Sequence, residues 1–145
     1  RILSDLEFHV PDISMTGEQR SYTGRKPGNI HFIPPVPHSE VPRLICKYPI
    51  VLGQLRLGTL GVSELEAMSC GKPLISFWNR EYDAYYDEPC PVLSSGNAEE
   101  ISRLIREHIG DASLGSRCRN WIERFHSIDV VTEQLLNIYS EVIES

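Results

Sequence analysis

Long apolar runs are missing from this 145-residue chain. No stretch approaches the ~20 apolar residues of a membrane-spanning helix, and no segment has the pattern of a secretory leader. The expectation is a cytoplasmic protein without a membrane span. Basic charge is scarce too. Fourteen Lys and Arg against 20 Asp and Glu leave a net charge of −6, the wrong sign for a chain whose main partner is nucleic acid or an anionic membrane. The four cysteines, Cys46, Cys70, Cys90 and Cys118, form no C-x-x-C pair. They read as reduced thiols, not as a disulfide or zinc framework.

Several chemical signatures are absent as well. Gly53-x-x-x-x-Gly58 runs on into Thr59 and Leu60, where a P-loop needs a lysine and a hydroxyl. No G-x-G-x-x-G occurs, so the dinucleotide fingerprint is lacking. His9, His31, His38, His108 and His126 never fall at the i, i+4 spacing of a helical metal pair, and no metal is expected. No G-x-S-x-G elbow supports a hydrolase triad. Neither internal repeats nor low-complexity segments occur. What remains is one ordinary domain over 1–145, long enough for a single buried core, in which 1–28 is the least legible part.

The elements alternate. Residues 6–10 read as a strand, 11–28 as a polar loop and 29–34 as a second strand ended by prolines. Ser39 suits the cap of a helix running to about Lys47. Residues 49–54 carry Ile50, Val51 and Leu52 in succession, as in a strand buried on both faces. A loop with Gly53, Gly58 and Gly61 leads into a helix over 63–69, stopped by Gly71 and Pro73, and into a strand over 74–78. A tyrosine-rich loop with Tyr82, Tyr85 and Tyr86 follows; it reads as amphipathic cover over the sheet edge, with a stacking surface for a sugar or acceptor as the alternative. Residues 90–93 give the last strand. Asn97 with Glu100 makes a capping box for a helix whose apolar face is Ile101, Leu104, Ile105 and Ile109. Asp111 or Ser113 starts the next helix, with Leu114, Trp121, Ile122 and Phe125. Ser127 caps the last one, striped by Val131, Leu135, Ile138 and Val142. This order predicts an α/β fold: a doubly wound, mostly parallel Rossmann-like sheet with a helical C-terminal tail.

The stretch LEAMSCGKPLIS resembles the donor-binding half of GT-B retaining glycosyltransferases of family 4. Leu65, Glu66, Ala67, Met68, Gly71, Lys72 and Pro73 match that family's helix-end signature, and Gly61 falls on the last glycine of its preceding Glu-Gly-Phe-Gly-like turn. The resemblance implies a nucleotide-diphosphate sugar, UDP- or GDP-linked, as substrate and no other cofactor. It places Pro35 and Val36 beside the base. Backbone N–H groups of the segment Thr59, Leu60, Gly61 and Val62 would hold the diphosphate at a helix N-terminus. Glu66, one turn in, would accept from the ribose hydroxyls. On spacing alone Ser63-x-x-Glu66 reads first as a capping box, in which Glu66 only satisfies its own main chain; the resemblance reverses that order.

The chain departs from the family at Gly58, which occupies the position of a first glutamate near the transferred sugar, so no catalytic residue is identified. The family domain's opening strand-and-glycine unit and the acceptor-binding N-terminal domain are not found. Transfer needs both substrates held in reacting geometry, so this chain alone is expected to be inactive. Three readings follow: the donor-binding domain of a glycosyltransferase, part of another nucleotide-sugar enzyme such as an epimerase, or a noncatalytic association domain. An exposed sheet edge would allow homo-oligomers.

Overall fold

The computed structural model describes residues 3–11 and 27–144. Most of the loop expected over 11–28 therefore lies outside the described residues. The chain divides into two compact units, Arg1–Val41 and Pro42–Ser145.

In the first unit, β1 (Phe8–Pro11) and β2 (Ile30–Ile33) pair in parallel, Phe8 opposite Ile30 and Val10 opposite Phe32. The Asn29 side-chain amide donates to the carbonyls of Leu3 (2.9 Å) and Leu6 (2.8 Å), fixing the approach to β1. After β2 the prolines end the ladder, since each lacks a donor. Ser39 falls inside a 3-10 turn, His38–Glu40, and not at a cap; the residue before that turn is Pro37, which has no side-chain oxygen to offer.

The short helix α1 (Val41–Ile45) leads into the second unit, which holds β3 (Val51–Leu52), α2 (Val62–Ser69), β4 (Leu74–Ser76), β5 (Leu93–Ser94), α3 (Ala98–His108), α4 (Ala112–His126) and α5 (Ile128–Glu144). The strands form a parallel sheet in the order β3-β4-β5, Val51 opposite Leu74 and Ile75 opposite Leu93. The fold class and parallel pairing are as expected, but the described strands are shared between two sheets. Central β4 is buried throughout, and its lone polar side chain, Ser76, donates to the Gln54 carbonyl at 2.7 Å. Buried polar groups need such partners.

α2 ends at Gly71, whose φ of +66° is a left-handed cap; its N–H reaches the Met68 carbonyl at 2.8 Å. Gly115 of α4 lies against that cap, and a Cβ there would stand 2.2 Å from the Gly71 carbonyl oxygen. The glycine lets α4 approach α2, and the core forms between them from Met68, Leu74, Val92, Leu114, Trp121 and Ile122. Cys90 and Cys118 are buried there too, and burial pushes their thiols up to about 12 and about 11. All four cysteines are free.

One capping detail differs from expectation. Asn97 does cap α3, accepting from Glu99 and Glu100 N–H, but the Glu100 carboxylate takes the Ser95 hydroxyl (2.9 Å), and Ser95 Oγ accepts from Asn97 N–H. A hydroxyl relay thus replaces the reciprocal box. Asp111, not Ser113, caps α4 through Leu114 N–H at 3.0 Å. Ser127 sits at the α4–α5 junction, its carbonyl accepting from Val131 N–H. Ile109 leaves the buried face of α3 because the chain turns out of the helix there. The α5 stripe of Val131, Leu135, Ile138 and Val142 is exposed.

Candidate functional site

Loop 53–61 carries the chain from the carboxyl end of β3 to α2. Gly58 is buried with φ +75°, a left-handed conformation, and its carbonyl accepts from Asn79 N–H at 2.9 Å. A residue with a Cβ would be strained there by ~1–2 kcal/mol. The glycine stands where the resemblance expects a glutamate, on a backbone that disfavours any side chain.

The acid that organises this loop is Glu64. Its side chain is 1% exposed, and its carboxylate accepts from the N–H groups of Gln54 (2.6 Å) and Gly61 (3.2 Å) and from the Ser63 hydroxyl (3.1 Å). A Cβ on Gly53 would lie 2.6 Å from Glu64 Cγ, and one on Gly61 would lie 2.9 Å from its Oε2. These two glycines leave the space that the carboxylate fills. The helix cap is Gly61, with Glu64 at the third position; the capping box expected between Ser63 and Glu66 does not form. The substitute was legible in the spacing Gly61-x-x-Glu64.

Glu66 is half-buried, one turn into α2. Of the four residues expected to donate at the mouth, Gly61 gives its N–H to Glu64. Among the described residues nothing accepts from the N–H groups of Thr59, Leu60 and Val62, and Thr59 and Val62 are exposed. Pro35 is exposed and Val36 half-buried in the first unit, between β2 and the 3-10 turn.

Beside Thr59 and Leu60 opens a cleft of about 310 Å³. Its walls include Trp78, Tyr82, Tyr85 and Tyr86 from the tyrosine-rich segment and Trp121 and His126 from α4. The segment is held by a clamp that sequence reading missed. Asp83 accepts from the Trp78 indole and from Cys90 N–H, each at 2.9 Å, and the Arg80 guanidinium donates to the carbonyls of Cys90 and Val92, each at 2.7 Å. Arg80 occupies those carbonyls, and β5 covers Leu93–Ser94 in place of the expected 90–93. Burial alone would raise the Asp83 carboxyl, but hydrogen bonds from Cys90 and Trp78 and the adjacent Arg80 hold it below the usual carboxylate range. Tyr86 is not simple edge cover: its ring packs 4.7 Å from Trp121, and its hydroxyl is 3.5 Å from His126 Nε2. Burial lowers His126 and raises Tyr86, so both are neutral near pH 7.

Among the described residues no group of three or more His, Cys, Asp or Glu is placed to hold a metal ion, and no helix is long and apolar enough to cross a membrane.

The model of a glycosyl transferase-like family matches residues 2–137. No curated protein sequence matches the chain. Among solved structures, the fold is similar to that of Anabaena Alr3699/HepE in complex with UDP-glucose, at 17% identity and a TM-score of 0.62. The similarity covers 79% of this chain and 33% of that one, so the chain spans about a third of the length of that protein.

Proposed function

The chain belongs to the glycosyl transferase-like family, and from that premise we propose that it binds the donor nucleotide sugar, UDP- or GDP-linked, at the mouth of α2. In the full-length cytoplasmic enzyme it would serve as the donor half, with retention of anomeric configuration, against an acceptor-binding domain supplied elsewhere. One observation carries this reading: Thr59, Leu60 and Val62 present N–H groups at a helix start that nothing among the described residues accepts from, and Glu66 lies one turn further in. Converging amides and the helix dipole favour a diphosphate, and a carboxylate at that depth suits two ribose hydroxyls. The fold's likeness to a protein solved with UDP-glucose supports the substrate class. The buried Glu64 carboxylate partly neutralises the same helix end, so tight binding would need further cations from outside this segment.

A second reading, a noncatalytic association domain, is favoured by Gly58 at the position of the family glutamate and by the Gly61 N–H already engaged. An amide-resolved NMR titration with UDP, UDP-glucose and GDP separates the two. Donor binding predicts saturable shifts at Thr59, Leu60, Val62 and Glu66, and at Val36 if the base lies where the resemblance puts it. No saturable shift at millimolar nucleotide would favour association.

A further inference from the structure

Apart from Thr59 and Leu60, which also line it, the aromatic cleft beside the mouth of α2 offers nothing to grip a diphosphate. Among the described residues no lysine or arginine lines it, and its histidine is held neutral by burial. A phosphate or carboxylate would be desolvated there without a counter-charge. The walls are instead faces and edges of six aromatic rings, with the hydroxyls of Thr59 and three tyrosines at hand. Neighbouring rings are tilted by 39–66°: Tyr82 to Tyr85 by 39°, Trp78 to Tyr82 by 66° and Tyr86 to Trp121 by 54°. Among these pairs there is no parallel slot for a flat nucleobase. The volume, about 310 Å³, is at the small end of the ligand-pocket range of about 300–1,000 Å³. It suits one ring and excludes a long lipid chain.

A neutral pyranose fits this description. One of its faces presents C–H bonds polarised by the ring oxygens, complementary to the negative face of an aromatic ring. Its hydroxyl rim needs neutral donors and acceptors such as those of Thr59, the tyrosines and His126. We propose that the cleft binds a neutral hexopyranose ring, with Tyr85, 80% exposed, as the open platform on which it stacks. The ring would be either the donor's own hexose or the acceptor's terminal sugar. That choice rests on the donor reading above; the cleft's preference for a sugar does not.

The protein contains two tryptophans, Trp78 and Trp121, and both line the cleft, so intrinsic fluorescence reports on it. The test is a titration of the whole chain with methyl glucopyranoside and maltose, with uridine, UDP and UDP-glucose as separate arms. Saturable, saccharide-dependent changes in emission are expected, with the midpoint raised about 2- to 13-fold by Tyr85→Ala, the range of one aromatic contact, and nearly unchanged by Tyr85→Phe. Saccharide binding abolished by UDP-glucose but not by UDP identifies the donor's hexose; binding that persists under saturating UDP-glucose identifies the acceptor's sugar. Either supports the proposal. No saturable change with any saccharide, the same change with uridine alone, or wild-type affinity in Tyr85→Ala would overturn it. Glu66→Ala keeps the two readings apart, since it should weaken UDP binding and leave the methyl glucopyranoside midpoint in place.

Discussion

The loop before α2 and the tyrosine-rich segment after β4 are each fixed by one acidic side chain, and they differ in what that acid holds. Glu64 is buried and grips its own neighbourhood, the N–H groups of Gln54 and Gly61 and the Ser63 hydroxyl. Its loop is tied from the inside and keeps its outer amides open. Asp83 instead grips an indole and a main-chain N–H further along, with Arg80 beside it. It thereby sets the angle of a cleft wall. One acid shapes a backbone surface suited to an anion, the other an aromatic surface suited to a neutral ring. The distinction lies in the partners, not in the residue type.

The largest expected effect is at Glu64. Glu64→Ala strands two main-chain N–H groups, at ~1–3 kcal/mol each, and should lower stability by about 3 kcal/mol or more in urea unfolding. Glu64→Gln keeps one acceptor and should fall between wild type and Ala. If Glu64→Ala proves as stable as wild type, the carboxylate does not organise the loop.

Next comes Gly53→Ala, whose Cβ would collide with Glu64 Cγ at 2.6 Å. Overpacking of this kind costs about 1–3 kcal/mol. The informative quantity is the coupling: in a Glu64→Ala background the same substitution should cost little, because the obstructing side chain is gone. Additive losses would mean that the glycine serves another purpose.

A smaller effect is expected at Asp83, and its signature is pH. The folded carboxyl titrates below its ordinary value of 3.8. Its contribution is therefore complete above that value and is lost as pH falls through the lower, folded one. Asp83→Asn should cost about 1–2 kcal/mol near neutrality and flatten the acid limb of the stability profile, while Trp78 emission shifts. An unchanged acid limb would remove Asp83 from the clamp.

The sequence showed one of these regions far better than the other. Consecutive Ile50, Val51 and Leu52, the glycine spacing and the LEAMSCGKP signature made the strand, loop and helix before β4 readable, because periodicity and turn chemistry are local. The identity of the capping acid was misread by two residues, since Gly61, with no side chain to announce itself, is the true cap. The tyrosine-rich segment was opaque for a different reason. Arg80 and Asp83 look like solvent-facing charges, and their partners Cys90 and Val92 lie ten and twelve residues from Arg80. Trp121 and His126 reach the cleft from α4 through tertiary packing, for which neighbouring residues carry no signal. The helices α3 and α4 were legible by their apolar spacing. Pairing of the first two strands apart from the other three was not.

Calorimetry of UDP binding to wild type, Glu66→Ala and Glu66→Gln, with thermal unfolding of each, addresses the donor site most directly. If Glu66 holds the ribose, Glu66→Ala weakens binding by ~1.5–3 kcal/mol while leaving stability close to wild type. UDP affinity that is indifferent to Glu66, or a loss of stability with affinity intact, would contradict the assignment of the α2 mouth to a nucleotide sugar.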